Sequence, residues 1–415
     1  MFFRRLTVLS LITLLITFIG CSKQAMTEEQ IISRAKVIHK KALTLDSHVD
    51  VLNAKYATEA RDPGIDNPKL KCDLVKMNKG GVDGVFLAIY VEQKKRDEEG
   101  YKNAYQSAMG QFEAIHRLTE EMYPERCALA TSPDEVERIA ETGKKAIMIG
   151  IENGFAIGKN LSNVERFYNL GARYITLSHN GHNDICDSCN PREKLGDKET
   201  EHNGLSEFGK KVIGEMNRLG IIADASHISA KSFWDLIEVS RSPVIVSHSG
   251  CRALAELSRN LDDEQLKALA RNGGVIQIVA VGGFLRLVSP EHRKAIGDLK
   301  EELDEGRIKI EQFLEGLEEI NAKYSSTSIS DFVDHIDHAV KVAGIEHVGI
   351  GSDFDGGGGI EGFNDHSEAL NVTVELVRRG YCEEEILKIW GANLLRVWSE
   401  VEKVAQELQK GPTNG

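Results

Sequence analysis

Short apolar runs alternate with amphipathic stretches along most of this chain. The runs are rich in isoleucine, valine and leucine, as is typical of parallel strands covered on both faces. They predict eight strands, at Thr44–Asp50, Val82–Val91, Lys145–Gly154, Ala172–Asn180, Ile221–Ser229, Pro243–Gly250, Gly273–Gly282 and His347–Gly356. The stretches between them have apolar residues at helical spacing. The clearest predicted helices are Tyr101–Met122, Leu205–Leu219, Ala230–Val239 and Asp262–Asn272.

Strands that alternate with helices form a parallel sheet. Eight such units over about 300 residues predict a closed (β/α)8 barrel of the TIM type. An open doubly wound sheet is the alternative, but no glycine-rich dinucleotide fingerprint follows the first strand. A charged, mostly helical insertion spans residues 286–333, delays the last strand and could cap the barrel mouth. The C-terminal stretch Glu383–Gln409 is a helical pattern that we expect to pack outside the barrel.

The N-terminus has the pattern of an export signal. Arg4 and Arg5 precede the apolar run Leu6–Ile19, which is shorter than the ~20 residues of a membrane span. The run ends at Gly20-Cys21, which resembles a bacterial lipoprotein signal and implies cleavage before Cys21 and lipidation of its sulfur. We therefore expect an exported protein, lipid-anchored in the bacterial cell envelope and facing the periplasm in a Gram-negative cell. An ordinary secretory signal with a chance cysteine is the alternative.

These patterns predict four segments. Residues 1–20 are the signal, 21–43 a linker and helix, 44–400 a single barrel domain, and 401–415 a helix end and tail. The whole chain of 415 residues is 41% apolar and 28% charged, as in a globular protein. Its net charge of -13 argues against nucleic acid as a partner, because nucleic acid needs a positive surface.

The cysteines indicate no metal ribbon. Cys186 and Cys189 form a C-x-x-C pair in a polar loop, whereas a zinc ribbon would need a second pair. A local disulfide and two free thiols both remain open.

The predicted strands end in an unusual set of titratable residues. In a barrel of this kind the chemistry lies at the C-terminal strand ends. The residues there are His48, Asp50, Glu152, His179, His227, His248 and Asp353, while the second strand offers only Glu92. Burying so many polar groups without partners would cost several kcal/mol each, which favours a metal site over a core.

The ligand types fit a site with two metal ions. His48 and Asp50 are two residues apart on a strand, so both side chains project from the same face. They would hold one ion, His227 and His248 would hold the other, and Glu152 could bridge them. Nitrogen and oxygen ligands without thiolate suit zinc, and also manganese, iron or cobalt. Two ions ~3.5–4 Å apart can share a hydroxide and lower its pKa toward neutrality.

Several motifs together resemble the membrane (renal-type) dipeptidase family of zinc peptidases. The resemblance runs in order from about residue 30 to 400, and includes Leu205–Leu219 and Trp390–Val397. The motifs that carry it are Leu45–Asp50, Ile149–Gly154, Tyr174–Asn180, Ala223–His227, Pro243–Ser249 and Gly351–Gly356.

The resemblance implies a (β/α)8 barrel that binds two zinc ions per chain. The metal ligands carried over are His48, Asp50, Glu152, His227 and His248, which is the set that the residues themselves suggest. The resemblance also implies substrate contacts for His179, Arg259 and Asp353. Without it, Arg259 would be interpreted as a solvated charge at a helix end. Arg252 competes with Arg259 for this role, and His182 competes with His179.

The expected function is hydrolysis of dipeptides by a hydroxide that bridges two zinc ions held together by Glu152. His179 would stabilise the oxyanion, and Arg259 would bind the terminal carboxylate of the substrate. Asp353 would transfer a proton to the leaving amine or anchor the substrate ammonium, and the sequence does not separate these roles. The resemblance also implies tolerance for a D-residue at the C-terminal position of the dipeptide.

Two other functions compete with this interpretation. One is a related binuclear hydrolase of the amidohydrolase type that acts on another amide, ester or lactone. Such barrels usually begin with His-x-His, whereas this chain has His48-x-Asp50. The other is a catalytically inactive lipoprotein that binds peptides or metal. The oligomeric state stays open, with a homodimer among the options.

Overall fold

The computed structural model describes residues 26–324 and 327–410, so the predicted signal segment and Cys21 lie outside the described residues. The strands are β1 Leu45–Val51, β2 Gly84–Tyr90, β3 Cys127–Leu129, β4 Lys145–Glu152, β5 Ala172–Thr176, β6 Ile222–Asp224, β7 Ile245–Ser249, β8 Val275–Ile278 and β9 Val348–Ile350. All of the strand pairs are parallel, and the pairing follows chain order except that β3 pairs only with β4, beside the main path.

Helices connect the strands and cover the sheet. They are α1 Glu28–Lys41, α2 Leu74–Gly80, α3 Glu98–His116, α4 Pro133–Glu141, α5 Ser162–Asn169, α6 Glu207–Leu219, α7 Ala230–Val239, α8 Asp263–Arg271, α9 Gly282–Leu285, α10 Pro290–Asp304, α11 Ile310–Tyr324, α12 Ile329–Ala343, α13 Ala369–Arg378, α14 Glu383–Leu387 and α15 Asn393–Lys410. Side-chain caps begin many of them, such as Ser206 for α6 and Asp262 for α8. No helix of the described residues has the length and apolar character needed to cross a membrane.

Backbone hydrogen bonds between β1 and the segment after β9 join the two ends of the sheet. The N–H of Asp353 donates to the carbonyl of His48 at 3.0 Å, and the N–H of Asp50 donates to the carbonyl of Phe354 at 2.9 Å. The architecture is therefore the predicted (β/α)8 barrel, with a ninth short strand, β3, that the sequence did not indicate.

Two strands contain a β-bulge at a histidine of the predicted site. The register between β1 and β2 shifts between Asp46 and Val49, and that between β7 and β8 shifts between Val246 and Ser249. Bulges re-aim side chains and are common beside active sites. Several predicted strands also end earlier than expected. Within the predicted strand Ile221–Ser229, for example, only Ile222–Asp224 (β6) is a strand, and a loop follows it.

The charged insertion forms a helical hairpin, α10 and α11, that lies over the C-terminal end of the barrel. Polar contacts fasten it to loops around the mouth. Asn53 Nδ2 donates to Glu311 Oε1 at 2.8 Å, and Lys71 Nζ lies 2.8 Å from Glu318 Oε1. The prediction that this segment caps the mouth is confirmed. Cys186 and Cys189 are free thiols.

The C-terminal helix does more than pack outside the barrel, which corrects the expectation from the sequence. Residues at the start of α15 share a core cluster with inward-facing residues of the strands. Trp398 is fully buried, and its ring centroid lies 5.6 Å from that of Phe86 on β2. Helix α15 thus completes the core inside the ring of strands, at the end remote from the C-terminal strand ends.

We expect Trp398→Ala to lower the free energy of unfolding by about 3–5 kcal/mol, because it leaves a large cavity in a closed core. The matched control is Trp234→Ala, since Trp234 is 40% exposed and should cost much less. Denaturant unfolding followed by circular dichroism measures both. Equal losses for the two variants would show that α15 does not complete the core.

Candidate active site

The predicted site residues come together at the C-terminal ends of the strands. Strands β1, β4 and β7 themselves carry four of them, and the other three lie three residues beyond β5, β6 and β9. All seven side chains are buried except that of His179, which is half-buried. The residues are His48, Asp50, Glu152, His179, His227, His248 and Asp353.

Glu152 lies at the centre of the cluster. Its Oε1 is 3.1 Å from His227 Nε2, 3.4 Å from His248 Nε2 and 3.6 Å from His179 Nε2. Its Oε2 is 3.8 Å from His48 Nε2. Burial alone would raise the pKa of Glu152, but His179 and the other imidazoles around it hold that pKa well below its usual range. This carboxylate therefore faces all four imidazoles.

Asp50 and Asp353 complete one side of the cluster. Asp50 Oδ1 lies 3.1 Å from His48 Nε2. Burial and the neighbouring carboxylate of Glu152 raise the pKa of Asp50 well above its usual range. Burial also raises the pKa of Asp353 to about 7. An acidic group that titrates near neutrality can both accept and donate a proton at neutral pH.

The donor set fits divalent metal ions. Three groups each offer ligand atoms that lie within 4.8 Å of one another, namely His48 with Glu152 and His248, Glu152 with His179 and His227, and His48 with Asp50 and Asp353. Imidazole nitrogen and carboxylate oxygen suit zinc and its neighbours in the first transition row. Burying three carboxylates side by side is costly unless cations accompany them.

The grouping differs in part from the one that the sequence suggested. His48 and Asp50 do lie together, but the His48 ring also contacts the His248 ring, with centroids 3.7 Å apart and a tilt of 34° between the planes. His227 Nε2 lies 2.9 Å from His248 Nε2, and His179 is close enough to join His227 and Glu152 as a ligand. The assignment of individual ligands to two ions stays a prediction.

The backbone at the site adopts conformations that no sequence pattern indicated. Asn153, His227, Asp353 and Asp355 all have positive φ, at 83°, 65°, 60° and 63°. Non-glycine residues rarely adopt such angles, and where they occur the surrounding structure imposes them. The loops after β4, β6 and β9 are thus bent sharply just beyond the strand ends. The bends place His227 and Asp353 in the site, whereas Asn153 and Asp355 hydrogen-bond the backbone of neighbouring loops.

Arg259, and not Arg252, has free donors beside the site. Arg259 is buried, and its Nη2 donates to the carbonyl of His248 at 2.6 Å. Within the described part of the chain, its Nε and Nη1 have no hydrogen-bond partner. Arg252 instead donates to backbone carbonyls, including that of Asn260 at 2.8 Å. Burial lowers the pKa of Arg259, so an anionic partner would be favourable there.

His182 has a structural role that separates it from His179. Its Nδ1 accepts from the N–H of Ser188 at 3.0 Å, and its Nε2 lies 2.9 Å from the carbonyl of Lys198. Both ring nitrogens therefore serve the loop between β5 and α6. His179 instead faces Glu152.

The sequence analysis missed polar residues that line the inside of the barrel. Glu92 pairs with the exposed Lys94, so β2 contributes Tyr90 to the site instead. The Tyr90 ring meets the His179 ring edge-on, with centroids 5.2 Å apart. Tyr174 Oη lies 2.8 Å from His48 Nδ1. The register between β2 and β4 places Tyr90 level with Glu152, and the available signal was the position of Tyr90 near the end of the predicted strand Val82–Val91.

Gly150 makes room for the Tyr174 ring. A Cβ at Gly150 would lie 2.1 Å from Tyr174 Cζ. Since Gly150 and Glu152 project from the same face of β4, the missing side chain lets Tyr174 cross below Glu152 and reach His48.

Known proteins share this fold and much of this sequence. A family model described as membrane dipeptidase (peptidase family M19) matches residues 32–412. Dipeptidase tcpJ of Claviceps purpurea is 33% identical over 344 residues, covering 82% of this chain and 71% of that protein. The crystal structure of the probable dipeptidase PvdM from Pseudomonas aeruginosa has a TM-score of 0.82 at 32% identity, covering 91% of this chain and 100% of that one.

A further solved structure shares the fold at lower identity. It is a metallopeptidase from Rhodobacter sphaeroides, solved with a phosphinate mimic of the dipeptide L-Ala-D-Ala. Its TM-score is 0.68 at 22% identity, and the match covers 87% of this chain and 99% of that one.

Gly356 touches two carboxylates of the site, which gives a test of the arrangement. A Cβ at this position would lie 2.3 Å from Asp50 Oδ2 and 2.5 Å from Asp353 Oδ1. We expect Gly356→Ala to displace these flexible side chains, and so to weaken metal retention after dialysis while leaving the thermal unfolding midpoint of the metal-free protein nearly unchanged. Gly214→Ala is the control, because open space surrounds that position on α6. Full metal retention in Gly356→Ala would contradict the close approach.

Proposed function

The chain belongs to the membrane dipeptidase family, peptidase family M19, and on this basis we propose that it hydrolyses dipeptides with two zinc ions. The observation that carries the proposal is the convergence of four imidazoles on Glu152, with Asp50 and Asp353 beside them, at the C-terminal ends of the strands. This is the position of the active site in barrels of this kind.

The proposed metal ligands are His48, Asp50, Glu152, His227 and His248. Zinc bound by them would act as a Lewis acid toward the scissile carbonyl and would activate water at neutral pH. Burial lowers the pKa values of His227 and His248 well below the usual range. Both imidazoles therefore stay neutral at physiological pH, which is the form that binds a metal ion.

Arg259 would bind the terminal carboxylate of the dipeptide. Within the described residues its Nε and Nη1 have no hydrogen-bond partner, so both can donate charge-assisted hydrogen bonds to a carboxylate. The buried surroundings strengthen such an ion pair and fix the end of the substrate. The substrate would therefore be held by its C-terminal carboxylate.

His179 and Asp353 would act at the scissile bond. His179 is half-buried beside Glu152, where it can donate a hydrogen bond to the carbonyl oxygen as negative charge develops. Asp353 would accept a proton from the attacking water and deliver it to the leaving amine, a role that its pKa of about 7 supports. The alternative role for Asp353 is to anchor the ammonium group of the substrate.

Hydrolysis of dipeptides by the purified protein tests the proposal. We expect ~2 zinc ions per chain by elemental analysis, and cleavage that a chelator abolishes and zinc restores. Asp353→Asn should lower kcat by roughly 10²–10⁴, as the loss of an acid–base group does. The control is Asp134→Asn at the exposed start of α4, which should keep full activity.

The substrate panel should contain matched L,L- and L,D-dipeptides together with an ester and a lactone. We propose that L,D-dipeptides are cleaved too, in line with the tolerance expected from the family. Cleavage of the ester or lactone without any dipeptide would favour the related amidohydrolase. No cleavage by fully metal-loaded protein would favour a binding protein.

We further propose that the protein is exported and lipid-anchored through Cys21. The support is the sequence alone, in which a basic pair, an apolar run and Gly20-Cys21 follow one another. In a bacterial host, labelled palmitate should enter the wild-type chain, and Cys21→Ala should abolish the labelling. Cys382→Ala, which removes an exposed thiol, is the control. Labelling that survives Cys21→Ala would refute the anchor.

A further inference from the structure

A layer of hydrogen-bonded polar residues lies inside the barrel, directly beneath the site. Asp224 at the end of β6 is fully buried, and so are Thr176 on β5 and Ser247 on β7. Asp224 accepts four hydrogen bonds. Its Oδ1 takes the N–H groups of Ser226 at 3.0 Å and Ser247 at 2.8 Å, and its Oδ2 takes the hydroxyls of Thr176 at 2.5 Å and Ser247 at 2.6 Å.

Ser247 connects this carboxylate to a histidine of the site. Its Oγ lies 2.8 Å from His248 Nδ1, and 3.4 Å from His48 Nδ1. An ionised carboxylate only accepts, and a serine hydroxyl has one proton to donate. Because that proton is directed to Asp224, Ser247 Oγ is left as an acceptor toward His248. The proton of a neutral His248 must then be on Nδ1.

The count of donors and acceptors therefore decides which ring nitrogen of His248 is free. With the proton on Nδ1, the lone pair is on Nε2, which lies 3.4 Å from Glu152 Oε1 and 2.9 Å from His227 Nε2. In metal sites the second ring nitrogen is commonly fixed in this way by a hydrogen-bonded partner, which sets the tautomer and the ring orientation.

We propose that Asp224 and Ser247 are positioning residues that lock His248 in its Nδ1–H tautomer and keep Nε2 available for a metal ion. The inference rests on the proposed metal site, but the tautomer itself is a property of the chain without metal. The competing explanation is that Asp224 only holds β6 and β7 together. These two strands share a single paired position, and the Asp224 carboxylate accepts a hydrogen bond from the backbone of Ser247 on β7. The test must separate these two roles.

Asp224→Asn separates them because it should reverse the tautomer. The side-chain carbonyl of asparagine would still accept the hydrogen bonds of the two backbone N–H groups. Its NH2 group would therefore face the hydroxyls of Thr176 and Ser247. Ser247 would then accept from the amide and donate its own proton to His248 Nδ1. His248 would carry its proton on Nε2, with no lone pair toward the site. Ser247→Ala removes the link without imposing either tautomer.

The first measurement is the ¹⁵N NMR spectrum of the histidine rings in the full chain after metal removal, with the native fold checked by circular dichroism. His248→Gln assigns the signals. We expect Nδ1–H for His248 in the wild type and in Ser242→Ala, and Nε2–H in Asp224→Asn. Ser242 is a matched control because it is a buried serine that accepts from Asn217 Nδ2, just before β7. The proposal would be overturned if His248 carried its proton on Nε2 in the wild type, or if it kept the wild-type tautomer in Asp224→Asn.

The second measurement is zinc affinity by chelator competition. Asp224→Asn and Ser247→Ala should each bind zinc roughly 10–100-fold more weakly, as losses of such supporting partners do, and Ser242→Ala should bind as the wild type does. If Asp224→Asn does not fold, Ser247→Ala decides the proposal, and unchanged affinity there would refute it. The wild-type chain could show the expected tautomer and yet cleave no dipeptide. That result would contradict the proposed function but not the proposal that Asp224 and Ser247 set the tautomer of His248.

Discussion

The pairing of β1 with the segment after β9 is the contact on which the site depends. Two backbone hydrogen bonds, from Asp353 to His48 and from Asp50 to Phe354, join the first and last strand segments of the barrel. They bring Asp353 beside His48 and Asp50, which makes one of the three candidate ligand groups. The other site residues lie on strands between these two ends or in the loops that follow those strands, so joining the ends closes the ring that holds the whole cluster.

Much of this arrangement could be predicted, because it follows from short-range patterns. Apolar runs gave the strand order, and alternation along a strand put His48 and Asp50 on one face. The direction of the loop residues could not be predicted, since it depends on where each strand stops. β6 ends at Asp224, and His227 reaches the site with its own φ at 65°, a conformation that only contacts from the rest of the fold impose.

The polar layer beneath the site could not be predicted from the sequence for a related reason. Asp224, Ser247 and Tyr174 lie within apolar runs, where a single polar residue gives no sign of its partners. Their partners are on other strands, as for Ser247 with Asp224 and Tyr174 with His48. Glu92 is the opposite case, an acidic residue near a strand end that lies toward the surface and pairs with Lys94.

Burial makes the charged groups of the cluster costly when no cation accompanies them. It raises the pKa of Asp50 and lowers those of His227 and His248, so each group is driven toward its neutral form. His48 differs, because although burial alone would lower its pKa, Asp50 and Glu152 raise that pKa well above its usual value. A proton on His48 thus supplies the positive charge that the carboxylates need when no metal is bound. A metal ion bound by His48, as proposed, would have to displace that proton, which would couple metal affinity to pH through the same residue that joins β1 to the end of the barrel.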